Sequence, residues 1–309
     1  AKPADPRPVS LEQVSWSADG RFCVVVGYSA DNKDRWIALV DPATSALVPV
    51  HRLHDPAWIS WDFNEVGFVP GRDALFYLSE ESGFSHLYLQ PLGTSTEGGL
   101  ALPERSQLTS GEHVVQEVVP SADGAWLYFT ANASHPGVYE VYRVPASPAF
   151  EGGAGVEQLT ALGGWNRFVL SPDGTRLLVT HSSALEPEEL VLQAAERGAE
   201  PRRLTQTTSE AFRSIAWAPP RYVEIPSTHA PRPIHARLYL PEGVSALGSG
   251  SEGSEVRRPA VFFVHGAGYL QNAHQGWSTY FREFMFHSLL TRAGYVVVDL
   301  DFRASAGYG

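Results

Sequence analysis

Apolar residues in the first two thirds of the chain fall in short strand-length runs separated by Gly-bearing turns. Four segments share one pattern: VSWSADGRFCVVVGYS (14–29), VGFVPGRDALFYLSEE (66–81), EVVPSADGAWLYFTAN (117–132) and FVLSPDGTRLLVTHSS (168–183). Each reads as strand, tight turn, strand, because a Gly next to Asp between apolar runs accepts the positive φ of a hairpin turn. The turn glycines Gly20, Gly71, Gly124 and Gly174 are 51, 53 and 50 residues apart. A second marker keeps the same time: QLTSGE at 107, QLTALG at 158 and RLTQTT at 203. Further strand-like pieces lie between them (35–42, 85–92, 139–146), and long helical periodicity is absent. A period near 50 residues with about four strands per unit predicts β-propeller blades. A β-sandwich with regular hairpins is the alternative, but sandwiches do not repeat a motif at constant period. The expectation is a partial propeller of about four blades over 1–219, with earlier blades missing from the sequence given.

The pattern changes after Pro219. Two strand patterns joined by a Pro-rich turn span 221–243, and a Gly/Ser stretch without apolar period spans 243–258. AVFFV (260–264) is continuously apolar, which predicts a strand covered on both faces. Ser278 is placed to cap a helix running to about Arg292, with Phe281, Phe284, Met285 and Leu289 on one face and Gly294 ending it. YVVVDLDF (295–302) is a second buried strand. Strand, helix, strand is a βαβ unit, so 220–309 is expected to open an α/β sheet.

Composition narrows the function. The net charge of −11 argues against a nucleic-acid partner and against anionic membrane surfaces. No apolar stretch approaches the ~20 residues of a membrane helix, so no membrane insertion is expected. The first ten residues do not resemble a signal peptide, and the compartment is unknown from sequence. Cys23 is the single cysteine, so no intrachain disulfide can form, and its apolar setting marks a core residue. His51 and His54 lack a carboxylate pattern, HExxH and a phosphate loop are absent, and no metal or cofactor is expected. Asn132-Ala133-Ser134 is a glycosylation sequon of a kind that also arises by chance.

VHGAGYLQ (264–271), VVVDLDFRASAGYG (296–309), the hairpin at 224–241 and LFYLSEESGFSHLYL (75–89) together resemble the prolyl oligopeptidase family of serine peptidases, most closely its dipeptidyl peptidase IV branch. The resemblance implies a propeller capping an α/β-hydrolase domain and a short peptide as substrate. It also implies a homodimer as one arrangement of the full-length protein. G-x-S-x-G does not occur, so the family's nucleophile, acid and base are expected beyond Gly309. The chain is then an internal fragment, inactive by itself. Its remaining chemistry is an oxyanion-hole loop at His265 and Gly266. The family's dipeptidyl peptidases have Tyr where this sequence has His265. His265 or Tyr269 could supply the donor, or His265 could instead order the loop. Arg303 and Ser305 match family positions with a structural role, and Ala304 replaces the usual Gly. Trp58, Trp61 and Phe63 are candidates to line the substrate pocket, with ordinary blade packing as the alternative. Glu80-Glu81 imitates the family's amine-binding pair but reads as a solvated hairpin turn. An acylaminoacyl peptidase or esterase, or a propeller binding module beside an inactive hydrolase domain, are the competing readings.

Overall fold

The computed structural model describes residues 7–42, 44–60, 62–94, 99–244, 257–266 and 268–309. Blade 1 is an antiparallel meander of β1 (Val9–Trp16), β2 (Cys23–Ser29), β3 (Asp34–Val40) and β4 (Leu47–His54). Blade 2 comprises β5 (Val66–Phe68), β6 (Ala74–Ser79) and β7 (His86–Pro91), with a short ribbon of β8 (Gly93–Thr94) and β9 (Leu100–Ala101) before its outer strand β10 (Ser106–Gln107). Blade 3 is β11 (Val115–Pro120), β12 (Trp126–His135), β13 (Val138–Pro145) and β14 (Glu157–Gln158). Blade 4 is β15 (Trp165–Leu170), β16 (Arg176–Ser183), β17 (Glu186–Ala194) and β18 (Arg202–Arg203). This is the partial propeller the repeat predicts, and all four turn glycines have φ between 65° and 72°.

Each repeated residue has a bond to make. In three of the turns a serine hydroxyl donates to the Asp two residues on and accepts the backbone N–H five residues on: Ser17, Ser121 and Ser171. Blade 2 has no such serine, and its Asp73 instead pairs with Arg21 of blade 1. The marker threonines accept a backbone N–H from the third strand of their blade: Thr109 from Leu87, Thr160 from Val141 and Thr205 from Leu190. In blades 3 and 4 the same hydroxyl donates to a buried carboxylate, Glu140 or Glu189, which would otherwise be a costly orphan.

Apolar residues of consecutive blades meet face to face. Between blades 2 and 3, Phe76, Leu78, Leu87, Leu89, Leu127, Phe129 and Val144 are all at most 5% exposed. Cys23 is buried in blade 1, as expected of a core residue. Polar links run along the same interfaces: the Glu65 carboxylate accepts the N–H groups of Glu117 and Val118, and Arg143 donates to the Ala195 carbonyl.

After a single helical turn, α1 (Glu210–Arg213), the chain forms a mixed sheet. Its strands are β19 (Arg221–Ile225), β20 (Ile234–Tyr239), β21 (Ala260–Val264) and β22 (Val296–Leu300), in the order β19-β20-β22-β21. β21 and β22 pair in parallel across α2 (Phe281–Arg292), which is the βαβ unit. Three details differ from the sequence reading. β21 is an edge strand with Phe262 67% and Val264 54% exposed, because α2 covers one face only. The buried face of α2 is Phe284, His287, Ser288 and Thr291, while Phe281 and Leu289 face outward. Ser278 does not cap the helix: it accepts the Tyr280 N–H and donates to Asn272, and Tyr280 holds the cap position without a side-chain bond. Gly294, at φ 90°, ends the helix as expected.

The sheet's loops dock on the propeller through hydrogen bonds. Asn132 donates to the Gly307 carbonyl, Tyr139 Oη to Gln271, the Gln271 amide to the Pro136 carbonyl, and the Gln275 N–H to the Gly137 carbonyl. Asn132, 3% exposed and bonded in this way, is unavailable for glycosylation in the folded chain.

Candidate functional site

Two neighbouring cavities open where the propeller faces the sheet. The first, about 470 Å³, takes its propeller wall from the loop after β4 and from the β6–β7 turn, and its other wall from Gly268 and the 304–309 loop. Asp55 accepts the N–H groups of Ala57 and Trp58 and so fixes the turn that presents the Trp58 ring. That ring lies against Gly268: an added Cβ would stand 3.4 Å from Trp58 and 3.0 Å from the Ala304 carbonyl. Glu80 lines this cavity, and burial pushes its carboxyl upward against the opposing Ser60 N–H and Arg35. Glu81 is also partly desolvated, but its bonds to His51 (2.6 Å) and Arg105 (2.8 Å) outweigh burial and hold it at about 2. The glutamate pair sits on the expected hairpin turn, yet neither carboxylate is simply solvated.

The loop after β21 is organised from below. His265 is 3% exposed. Its Nδ1 faces the Gly266 carbonyl at 2.9 Å and its Nε2 faces Asp301 Oδ1 at 3.0 Å. Both partners accept, so both ring nitrogens donate. Burial lowers the His265 pKa, but Asp301 and the Gly266 carbonyl outweigh it and the net shift is upward. Asp301 further accepts the N–H groups of Asn272 and Ala273 and the Tyr308 hydroxyl. Ser305 Oγ lies 3.2 Å from the same Nε2 that binds Asp301. A nucleophile–base–acid relay needs the acid on one ring nitrogen and the nucleophile on the other, so this Ser-His-Asp trio is a loop-ordering network rather than a relay. The His265 side chain is engaged on both nitrogens, and Gly266 lies on the exposed side of the loop.

The second cavity, about 480 Å³, shares Phe63 and Ala306 with the first. Its floor carries Asp62, Glu65, Glu117 and Glu188, and aromatic groups including Tyr139, Trp165, Tyr269 and Trp277 line it. Glu117 sits at a break in the β11–β12 register with φ 55°. Burial lifts its carboxyl to about 7, with Arg167 opposing and Glu65 adding to the rise.

Comparison with known proteins decides the relationship. Residues 2–188 match the family described as the dipeptidyl peptidase IV (DPP IV) N-terminal region. This chain belongs to that family. Among solved structures it is similar to the crystal structure of Porphyromonas gingivalis dipeptidyl peptidase 4, with a TM-score of 0.69 at 17% identity. The match covers 96% of this chain and 39% of that one. At that identity the likeness speaks for the fold alone.

Of the site residues expected from the sequence of this DPP IV-like chain, Trp58 and Phe63 line the first cavity and Phe63 and Tyr269 the second. His265 lies beneath the loop and Gly266 on its exposed side. Trp61 lies outside the described residues. Phe63, 4% exposed, is also packed on Phe84 and Tyr139, so blade packing and cavity lining coincide there. Arg303 is exposed and Ser305 buried on His265. Sequence reasoning missed Asp62, Glu117 and His274. Among the described residues no cluster is arranged to hold a metal ion, and no helix is long and apolar enough to cross a membrane.

Proposed function

We propose that this chain belongs to a serine-type peptidase of the prolyl oligopeptidase family, whose full-length form releases N-terminal dipeptides from short peptides. The observation that carries the reading is the first cavity, where Trp58 and Glu80 of the propeller face the Gly268 and 304–309 loops of the βαβ unit. The family match supports a peptidase, and the sheet with its His-Gly loop reads as the beginning of an α/β-hydrolase domain. The propeller would limit access to short chains, and the Gly266 turn would donate backbone N–H groups to the developing oxyanion. The nucleophile, base and acid would come from sequence outside this chain, which is itself inactive.

The test is an assay of the full-length protein with Gly-Pro-, Ala-Ala- and N-acetyl-Ala-anilides, with and without a serine-directed phosphonate. Phosphonate-sensitive release from the free-amine dipeptides is the expected result. Release from the acetylated substrate alone would move the protein to the acylaminoacyl branch, and no release at all would leave a binding module.

A further inference from the structure

We infer that Asn32 and Arg35, on the β2–β3 hairpin of blade 1, are positioning residues for the first cavity: they hold the loop after β4 where Trp58 and Ser60 form its propeller wall. The inference deepens the peptidase reading above and rests on it for what the cavity receives.

The described part of that loop contains no strand or helix, so its place depends on the groups that tie it down. The ties converge on one hairpin. Asn32 sits in the turn with φ 56°. Its backbone carbonyl accepts the Ile59 N–H and its side-chain amide donates to the Ile59 carbonyl, both at 2.8 Å. The neighbouring Lys33 carbonyl accepts the Asp55 N–H at 3.0 Å. Between these ties Asp55 folds the turn that presents Trp58. Further along, Arg35 Nη1 donates to Asn64 Oδ1 at 2.7 Å, and the Asn64 amide donates back to the Ser60 carbonyl. Ile59 and Ser60 line the cavity beside Trp58, whereas Asn32, Arg35 and Asn64 do not line it and act through them.

Arg35 is the telling member. It is 0% exposed, and its Nε and Nη2 have no hydrogen-bond partner. The groups that feel its charge are the Tyr28 and Tyr77 hydroxyls and, in the cavity wall, the Glu80 carboxylate, whose upward push by burial it opposes. A guanidinium so placed costs more than a well-packed apolar side chain of the same volume. Blade packing alone does not call for it. What it supplies is a rigid charged donor that reaches Asn64 from inside the blade.

Steady-state kinetics of the full-length protein with the anilides above test the inference, using Asn32→Gly, Arg35→Met and Ile37→Val. Asn32→Gly removes the side-chain tie but leaves a residue at ease with positive φ, so it carries the test if Arg35→Met does not fold. Ile37→Val trims the core in the same strand and is the control for general destabilisation. Asn32→Gly and Arg35→Met should each raise KM about fivefold with kcat within about twofold, the scale of one lost hydrogen bond read as binding. Ile37→Val should leave both constants alone. Unchanged KM in Asn32→Gly and Arg35→Met, a loss in kcat alone, or a matching rise of KM in Ile37→Val would overturn the inference. If the full-length protein hydrolyses none of the anilides, the peptidase reading falls by itself, and amide exchange in the 309-residue chain decides the positioning role. Faster exchange of the Ile59 N–H in Asn32→Gly and Arg35→Met, with Ile37→Val like the wild type, upholds the tether. Equal exchange in all four chains removes it.

Discussion

The blade 2–blade 3 interface and the mixed sheet are both apolar, but they are built to different degrees of closure. Between the blades, residues such as Leu78, Leu87, Leu127 and Val144 are 0% exposed, and each blade covers the face of the next. In the sheet, the buried cluster centres on Tyr239, Phe284 and Val297, and Phe262, Val264, Phe286 and Leu289 are more than half exposed. The first strand of blade 1, β1, is similar to the sheet in this respect, with Val9, Leu11, Val14 and Trp16 open. Stability therefore concentrates in blade-on-blade burial, at roughly 25 cal/mol per Å² of apolar surface. The loops that form the cavities are held instead by hydrogen bonds to buried carboxylates and carbonyls. Such a frame positions side chains by geometry.

The comparison is broken most directly by truncating one phenylalanine in each region. Phe129→Ala removes a side chain 1% exposed and should cost about 3–5 kcal/mol, through lost transfer energy and the cavity left behind. Phe262→Ala removes one 67% exposed and should change stability by less than ~0.5 kcal/mol. Urea unfolding of the full chain at one temperature gives both values. Comparable losses would mean that Phe262 is covered in solution and that the two regions are equally closed.

A smaller effect sharpens the claim that the loops depend on polar bonds. Asp301→Asn keeps the shape but removes the charge that His265 faces and weakens its acceptance of the Tyr308 hydroxyl and two N–H groups. The expected cost is about 1–3 kcal/mol, the range for buried donors left with a weakened acceptor. It should also carry a pH signature. A histidine whose folded pKa is raised stabilises fully below its unfolded value and loses that contribution as pH rises through the folded value. Wild-type stability should thus fall above the ordinary histidine range. Asp301→Asn should flatten that decline, as read from thermal melts across pH. An unchanged slope would remove His265 from the network that orders the loop.

These effects also mark what a single sequence can convey. Gly20, Gly124 and Gly174 were legible because a turn of fixed chemistry recurs at fixed spacing, and the marker threonines because each blade has the same buried N–H to satisfy. The uncovered face of β21 was not, because a continuous apolar run says nothing about which layers are present to cover it. The α2 face was misread for a related reason: Phe281 and Leu289 match helical spacing, but the sheet contacts a face centred on Phe284. Site residues were the least legible. Asp62, Glu117 and His274 come from separate segments and acquire meaning only when one cavity brings them together. For His265 the sequence left a choice between donor and loop-ordering residue, and that choice turns on the direction of its ring, which Asp301 sets.

The smallest expected effect concerns the turn that closes the first cavity. Ala304 occupies a position where the resembling family has Gly, and its φ is 69°. The left-handed region brings Cβ toward the following carbonyl and costs a non-Gly residue about 1 kcal/mol. Ala304→Gly relieves that strain, while Gly's larger conformational freedom in the unfolded chain opposes it by part of the same amount. The net should be a gain of up to ~0.5–1 kcal/mol, the reverse of what Ala→Gly does in ordinary helix or strand. Unlike Phe129→Ala it touches no core, and unlike Asp301→Asn it removes no charge, so it isolates backbone strain in the region held by hydrogen bonds. Denaturant midpoints of the two chains, with equal slopes, measure it. A loss of stability would mean that the 304–309 turn relaxes in solution, and that the wall it gives the first cavity is less fixed than the blades opposite.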